Sequence, residues 1–277
     1  MRTARATIGL GVALFLALVS PLLFEWFETA SASSRLSYAL LVPALAWVLA
    51  RRARGGSADA GPTVRDRSVA AGLAGLAGLT LLAGTLSSVF TLSLLACPLA
   101  VLAFAAHRSC RAGLRRLAPA LAFLFLMVPP PSPLLDRLNP TLVEASGRAA
   151  TFLLRPFDAE VSWIGATLGF RGWQLIVAEA CSGSGTFLML GCLCVFLAGL
   201  FRLRALGALA LILSALPVTL AINAARIASS ALVIDRFGAA AGQGLAHELL
   251  GEGVVVLGVA LVVLCVERAA RSRVRMA

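Results

Sequence analysis

Apolar runs of roughly 15–22 residues, long enough to cross a bilayer as a helix, recur along the whole chain. They fall at about 8–24, 36–50, 69–89, 91–106, 117–131, 183–200, 205–228 and 253–267. A backbone in lipid has to satisfy its own hydrogen bonds, and a helix does so within one segment. The expected fold is therefore all-α, a polytopic membrane helix bundle of about eight transmembrane helices. Composition excludes a soluble globular domain. The chain is 60% hydrophobic and 13% charged, with a mean hydropathy of +0.93, where a soluble domain is about a quarter charged. The bundle uses almost every residue, so 1–277 is read as a single integral-membrane domain.

The net charge of +11 comes from 24 basic residues, all of them arginine. In a chain like this, arginine in short connections is a topology signal and does not call for nucleic acid. Seventeen of the 24 fall before the first run, after the second, fourth and sixth, and at the chain end. The positive-inside rule puts those connections, and both termini, in the cytoplasm. The other seven (Arg35, Arg137, Arg148, Arg155, Arg171, Arg226 and Arg236) lie in or beside the opposite connections, mixed with acids. The start also has a second reading. "MRTAR", an apolar run and Ala30-Ser31-Ala32 fit a signal peptide; the run is long for one, so an uncleaved first helix is expected.

The connection at 130–180 falls on the extracytoplasmic side. "VPPPSP" ends the fifth helix, because proline cannot continue one. The segment 142–157 is semi-amphipathic, as a helix lying along the interface would be. The segment 161–177 reads as extended, with "GFRGW" as a turn, and Trp163 and Trp173 suit the membrane–water boundary. Some fifty residues exceed a plain linker, so this connection is expected to pack over the bundle and shape a pocket.

Three features carry chemistry. The first is "VAEACSGSGTF", residues 177–187. Cys181 falls at the N-terminal, outer end of the sixth helix, where free N–H groups and the helix dipole favour a thiolate. Ser182, Gly183, Ser184 and Gly185 leave the backbone there open. Taken alone, the segment reads more readily as a small-residue helix start with an incidental thiol. The second is "AINAARIASS": Asn223 and Arg226, three apart, share one face of the seventh helix. An arginine within an apolar helix marks a functional site unless it snorkels to the headgroups. The third is His247, ahead of the eighth helix. Histidine exchanges a proton near neutral pH, though a lone interfacial histidine is commonly incidental. His107 sits in a cytoplasmic turn. The alternating topology brings Cys181, Arg226 and His247 to one membrane face, as a nucleophile, a fixed cation and a proton-transfer group. Of the six cysteines, Cys192 and Cys194 are two apart and point to different helix faces, which argues against a metal pair. No metal and no cofactor is expected.

The ordered set Ala180-Cys181-Ser182-Gly183, Asn223-Ala224-Ala225-Arg226 and His247 resembles the signature of the exosortase/archaeosortase family of integral-membrane transpeptidases. The likeness is close over 177–247, and the chain departs from the family pattern at Ser184-Gly185. The resemblance implies a cysteine peptidase or transpeptidase in the inner (cytoplasmic) membrane with its active site on the extracytoplasmic side. Its partners would be the lipid bilayer and membrane-anchored proteins with C-terminal sorting tails: a short motif such as Pro-Glu-Pro (PEP-CTERM), a transmembrane stretch and a basic end. Bacterial members often accompany exopolysaccharide production. In this scheme Cys181, Arg226 and His247 are catalytic, and Asn223, Ser182 and Gly183 contact substrate. Glu179 is available to pair with an arginine. Two rivals remain. One is a rhomboid-like intramembrane serine protease using Ser184 with His247. The other is a non-enzymatic membrane carrier or assembly protein in which Arg226 holds an anion.

Overall fold

A computed structural model describes residues 2–33, 35–53, 62–158, 160–177, 183–242, 253 and 255–268. The chain divides into two units, Met1–Pro130 and Pro131–Ala277.

The N-terminal unit contains α1 (Arg2–Ala32), α2 (Val42–Ala53), α3 (Val64–Leu86), α4 (Phe90–Leu94), α5 (Ala96–Arg108) and α6 (Arg111–Leu124), the last extended by a 3-10 turn, Phe125–Met127. A capping box starts α3. The Thr63 side chain accepts from the Asp66 N–H, and the Asp66 carboxylate accepts from the Thr63 N–H at 2.9 Å. These bonds satisfy donors that a helix start leaves open, and they explain why the helix begins five residues ahead of its apolar run. The tight turn expected near Ser87–Ser93 is present, with Ser88 at φ +54°. Gly84 faces the Ser93 backbone so closely that any β-carbon would overlap it. The long packing partner of α3 is α5, while α2 packs on α6. The Trp26 indole donates to the Met127 carbonyl at 3.1 Å, which ties α1 to the end of α6.

The helix of "VPPPSP" does stop at Met127, but a new one, α7 (Ser132–Leu154), begins at once behind Pro131. It starts ten residues before the expected interfacial segment and accommodates Pro140. Proline at the first turn costs no hydrogen bond, and that is where Pro133 falls. One face of α7, with Leu142, Ser146, Gly147, Ala150 and Leu154, is buried. Its main helical partner is α9 (Ala205–Phe237), which also packs on α8 (Ser184–Leu200). A last helix, α10, covers 255–268. Val259 and Val262 of α10 pack against Leu190, Cys194 and Ala215, and Gly258 admits the Ile222 side chain.

The departure from an all-α fold lies between α7 and α8 in the chain. Three antiparallel strands, β1 (Ser162–Ile164), β2 (Thr167–Phe170) and β3 (Trp173–Ile176), form one sheet in the order β1-β2-β3. "GFRGW" is the turn between β2 and β3. Arg171 at φ +48° and Gly172 at φ +83° are both left-handed, the pattern of a two-residue type I′ hairpin turn. Gly165, at φ +62°, opens the other two-residue turn. Leu168 and Phe170 point into a core with Ala150, Leu154, Ala224, Ile227, Ala228 and Ala231. The sheet is therefore fixed to α7 and α9.

Among the described residues, three helical spans are long and apolar enough to cross a membrane on their own: Val64–Leu86, Phe90–Arg108 and Ala205–Phe237. A fourth is added if the helices on either side of the proline break count as one broken span. At 17 residues α8 is apolar but shorter.

Candidate active site

The site grows from the start of α8. Gly183 precedes the helix in a left-handed conformation, φ +81° and ψ −2°, which a β-carbon would disfavour. Its carbonyl accepts from the Phe187 N–H at 2.8 Å. A β-carbon on Gly183 would stand 3.1 Å from both Cγ and Nδ2 of Asn223. Glycine thus serves twice: it makes the turn into α8 and it lets the chain lie against the Asn223 amide. Ser184, the first residue of α8, is buried at 2% exposure.

Asn223 is 2% exposed on an otherwise apolar stretch of α9. Arg226 follows at i+3, on the same face. Its Nε is buried and meets no hydrogen-bond partner among the described residues. A buried, unpaired donor on a fixed cation costs free energy, so this side chain calls for a partner that the described residues do not supply. Thr219, four residues before Asn223, continues the face at 1% exposure, and its hydroxyl also has no partner among the described residues. Ser146 on α7 is a second buried hydroxyl of this kind. The sequence reading missed both. The i, i+4 spacing of Thr219 to Asn223 was the signal available for one; for Ser146 there was none, since its burial depends on the packing of α7 on α9.

Of the expected site residues, the structure brings Gly183 and Asn223 together and places Arg226 one turn further along α9. Cys181, Ser182 and His247, and with them Glu179, lie outside the described residues. The Cα–Cα distance from Gly183 to Cys181 spans two residues, at most about 7 Å.

The sheet above this part of α9 is clamped by charge. Arg171 Nη1 donates to Asp235 Oδ2 of α9 at 2.8 Å, and Nη2 donates to the Phe157 carbonyl at 2.7 Å. Asp158 Oδ2 accepts from the Arg171 N–H at 2.9 Å. That N–H, then the Glu160 N–H and then the Arg171 charge hold the Asp158 carboxyl below its ordinary value. On α7, Glu144 accepts from the Trp163 indole at 2.7 Å and from Arg148 Nε at 2.6 Å. Two of the seven arginines set apart by the charge count are thus paired with acids. An apolar groove of about 740 Å³ in the N-terminal unit, walled by α1, α3 and α5, is lined by none of the described site residues.

The sequence model of the family described as "Transmembrane exosortase" matches residues 26–266, most of the chain and both of its units. The chain belongs to the transmembrane exosortase family. It is therefore a membrane-embedded, multi-pass protein of a cysteine-transpeptidase family that acts on sorting signals. No curated protein and no solved structure matches it.

Proposed function

We propose that this exosortase cleaves the C-terminal sorting tails of exported, membrane-anchored proteins at the extracytoplasmic face of the inner membrane, with Cys181 as nucleophile. One observation carries the reading. Gly183 seats the start of α8 on Asn223, with the unpartnered Arg226 Nε one turn along the same helix. Cys181 precedes Gly183 by two residues, which keeps it within about 7 Å of this polar face, and Arg226 is taken as the cation that serves it.

In this scheme the Cys181 thiolate attacks the scissile carbonyl. Arg226 stabilises the oxyanion, commonly the largest single term in such reactions. The tetrahedral adduct collapses, the C–N bond breaks, and His247 gives a proton to the leaving amine of the tail. A thioester remains on Cys181. His247 then takes a proton from the acceptor, which attacks the thioester and frees the thiolate. Water as acceptor gives hydrolysis; a surface amine or hydroxyl gives transfer. Asn223, Ser182 and Gly183 hold the substrate near Arg226. Both termini are cytoplasmic in this topology, and the polar end of α9 faces out.

The test is mass spectrometry of surface-protein C-termini in the host, with native protein and with Cys181→Ala, Arg226→Ala and His247→Ala. Each variant is expected to leave hydrophobic tails untrimmed while the protein itself is retained in the membrane. Near-native trimming by any one removes that residue from the scheme. The burial of Ser184 weighs against the serine-protease alternative, and Ser184→Ala with trimming intact would eliminate it. A carrier that uses Arg226 alone predicts full function in Cys181→Ala.

A further inference from the structure

The sheet has two edges, and they differ. β1 lies against α7: the Trp163 ring rests on Gly147, and its indole is held by Glu144. Among the described residues β3 is paired only with β2. The Val177 N–H donates to the Ala166 carbonyl at 2.8 Å, and hydrogen-bonded pairs alternate in an antiparallel ladder. The bonded pairs of the hairpin are therefore Leu168 with Leu175 and Phe170 with Trp173. Gln174 and Ile176 are non-bonded partners of β2, so their N–H and C=O groups point to the open side. Among the described residues those groups meet no backbone partner, and Ile176 is 80% exposed.

We propose that this open edge of β3 is where the substrate binds: an extended segment of the exported protein pairs with Gln174 and Ile176 as an added strand. The inference rests on Cys181 being the nucleophile. Two observations favour this occupant over lipid, on an edge of the kind that is a template for another chain. The edge is held rigid in advance, because Leu168 and Phe170 are locked in the core and Arg171 is bonded to Asp235 and Phe157; preorganisation of this kind lowers the cost of binding. Finally, Cys181 follows Val177 by four residues, a reach of at most about 14 Å, so a peptide paired on β3 starts within that span of the nucleophile. Main-chain pairing supplies affinity with little demand on side chains, which suits one enzyme acting on many tails.

The experiment uses the full chain in detergent. Its probe is a peptide copied from the segment around the new C-terminus that mass spectrometry identifies. Ile176→Pro and Gln174→Pro each remove one N–H from the open edge and none from the ladder to β2. Each is expected to raise KM at least tenfold with thermal stability near native. A second series leaves the enzyme untouched and walks a backbone ester, which lacks the N–H, along the peptide. Added-strand pairing predicts losses at every second position. Native rates for both proline variants, or an ester series without that period of two, would overturn the inference. If the proline variants fail to fold, the ester series alone decides. Cys181→Ala runs alongside. If it is inactive while the edge variants are native, the pairing fails and the cysteine reading stands; if it is active, the cysteine reading has failed.

Discussion

The two units are built from the same apolar alphabet, yet they bury different things. In the N-terminal unit, α3 turns alanine and glycine inward, namely Ala70, Ala77 and Gly84. Ser93 is the one buried polar residue recorded there among the described positions. The C-terminal unit buries Asn139, Ser146, Ser184, Thr219 and Asn223 and adds the partly buried Arg226. Polar groups are costly inside a bundle unless they are paired, and in a membrane segment they mark function by default. The contrast separates a close-packed scaffold from a unit that tolerates buried polarity around its working face.

The contrast is sharpest if substitutions in the two units fail differently. Asn223→Leu keeps side-chain volume and removes the amide beneath Gly183. Processing is expected to fall about 100-fold, the cost of misplacing a reacting group by about an ångström, with the protein still folded; tail-processing kinetics and thermal melting together check this. Gly84→Leu, in the scaffold, should do the reverse. Overpacking against the Ser93 backbone is expected to cost about 2 kcal/mol or more of stability, with little change in turnover per folded molecule. Equal losses of activity per folded molecule would erase the distinction between the units.

Smaller effects test how the working face is held. Gly183→Ala places a side chain in a left-handed backbone, at a cost of about 1–2 kcal/mol, and pushes on Asn223. Roughly a tenfold loss of activity is expected from a strain of that size, read from tail-processing kinetics. Arg171→Ala releases the sheet from Asp235 and is expected to cost about 1 kcal/mol, since the pair is partly solvated; protease cutting within 155–177 reports it. The clamp also sets a pH dependence. The Asp158 carboxyl is lowered on folding, so its contribution is fully present above the ordinary aspartate range, about 3.9. It is lost as pH falls through the lowered folded value. Cutting should therefore be constant from pH 7 to 5 and rise only in stronger acid, and Asp158→Asn should flatten that rise.

The apolar runs gave the helices because a backbone in lipid has few other solutions. Their starts moved wherever a local bond decided the boundary, as the Thr63–Asp66 box did for α3 and Pro131 with Pro133 did for α7. The extended stretch at 161–177 was legible too, since "RG" between apolar residues is hairpin chemistry. The strand order was not.

Sequence alone settled that this is a membrane helix protein, that Asn223 and Arg226 share a face, and which family the ordered motif resembles, because period and spacing are local properties of a chain. Only the tertiary structure joined Gly183 to Asn223, buried Arg226 Nε and Thr219 without a partner among the described residues, and pinned the sheet through Arg171 and Asp235. Arg171 and Asp235 stand 64 residues apart in the chain. Contacts at that separation depend on how helices pack in three dimensions, and no periodicity in the sequence encodes them.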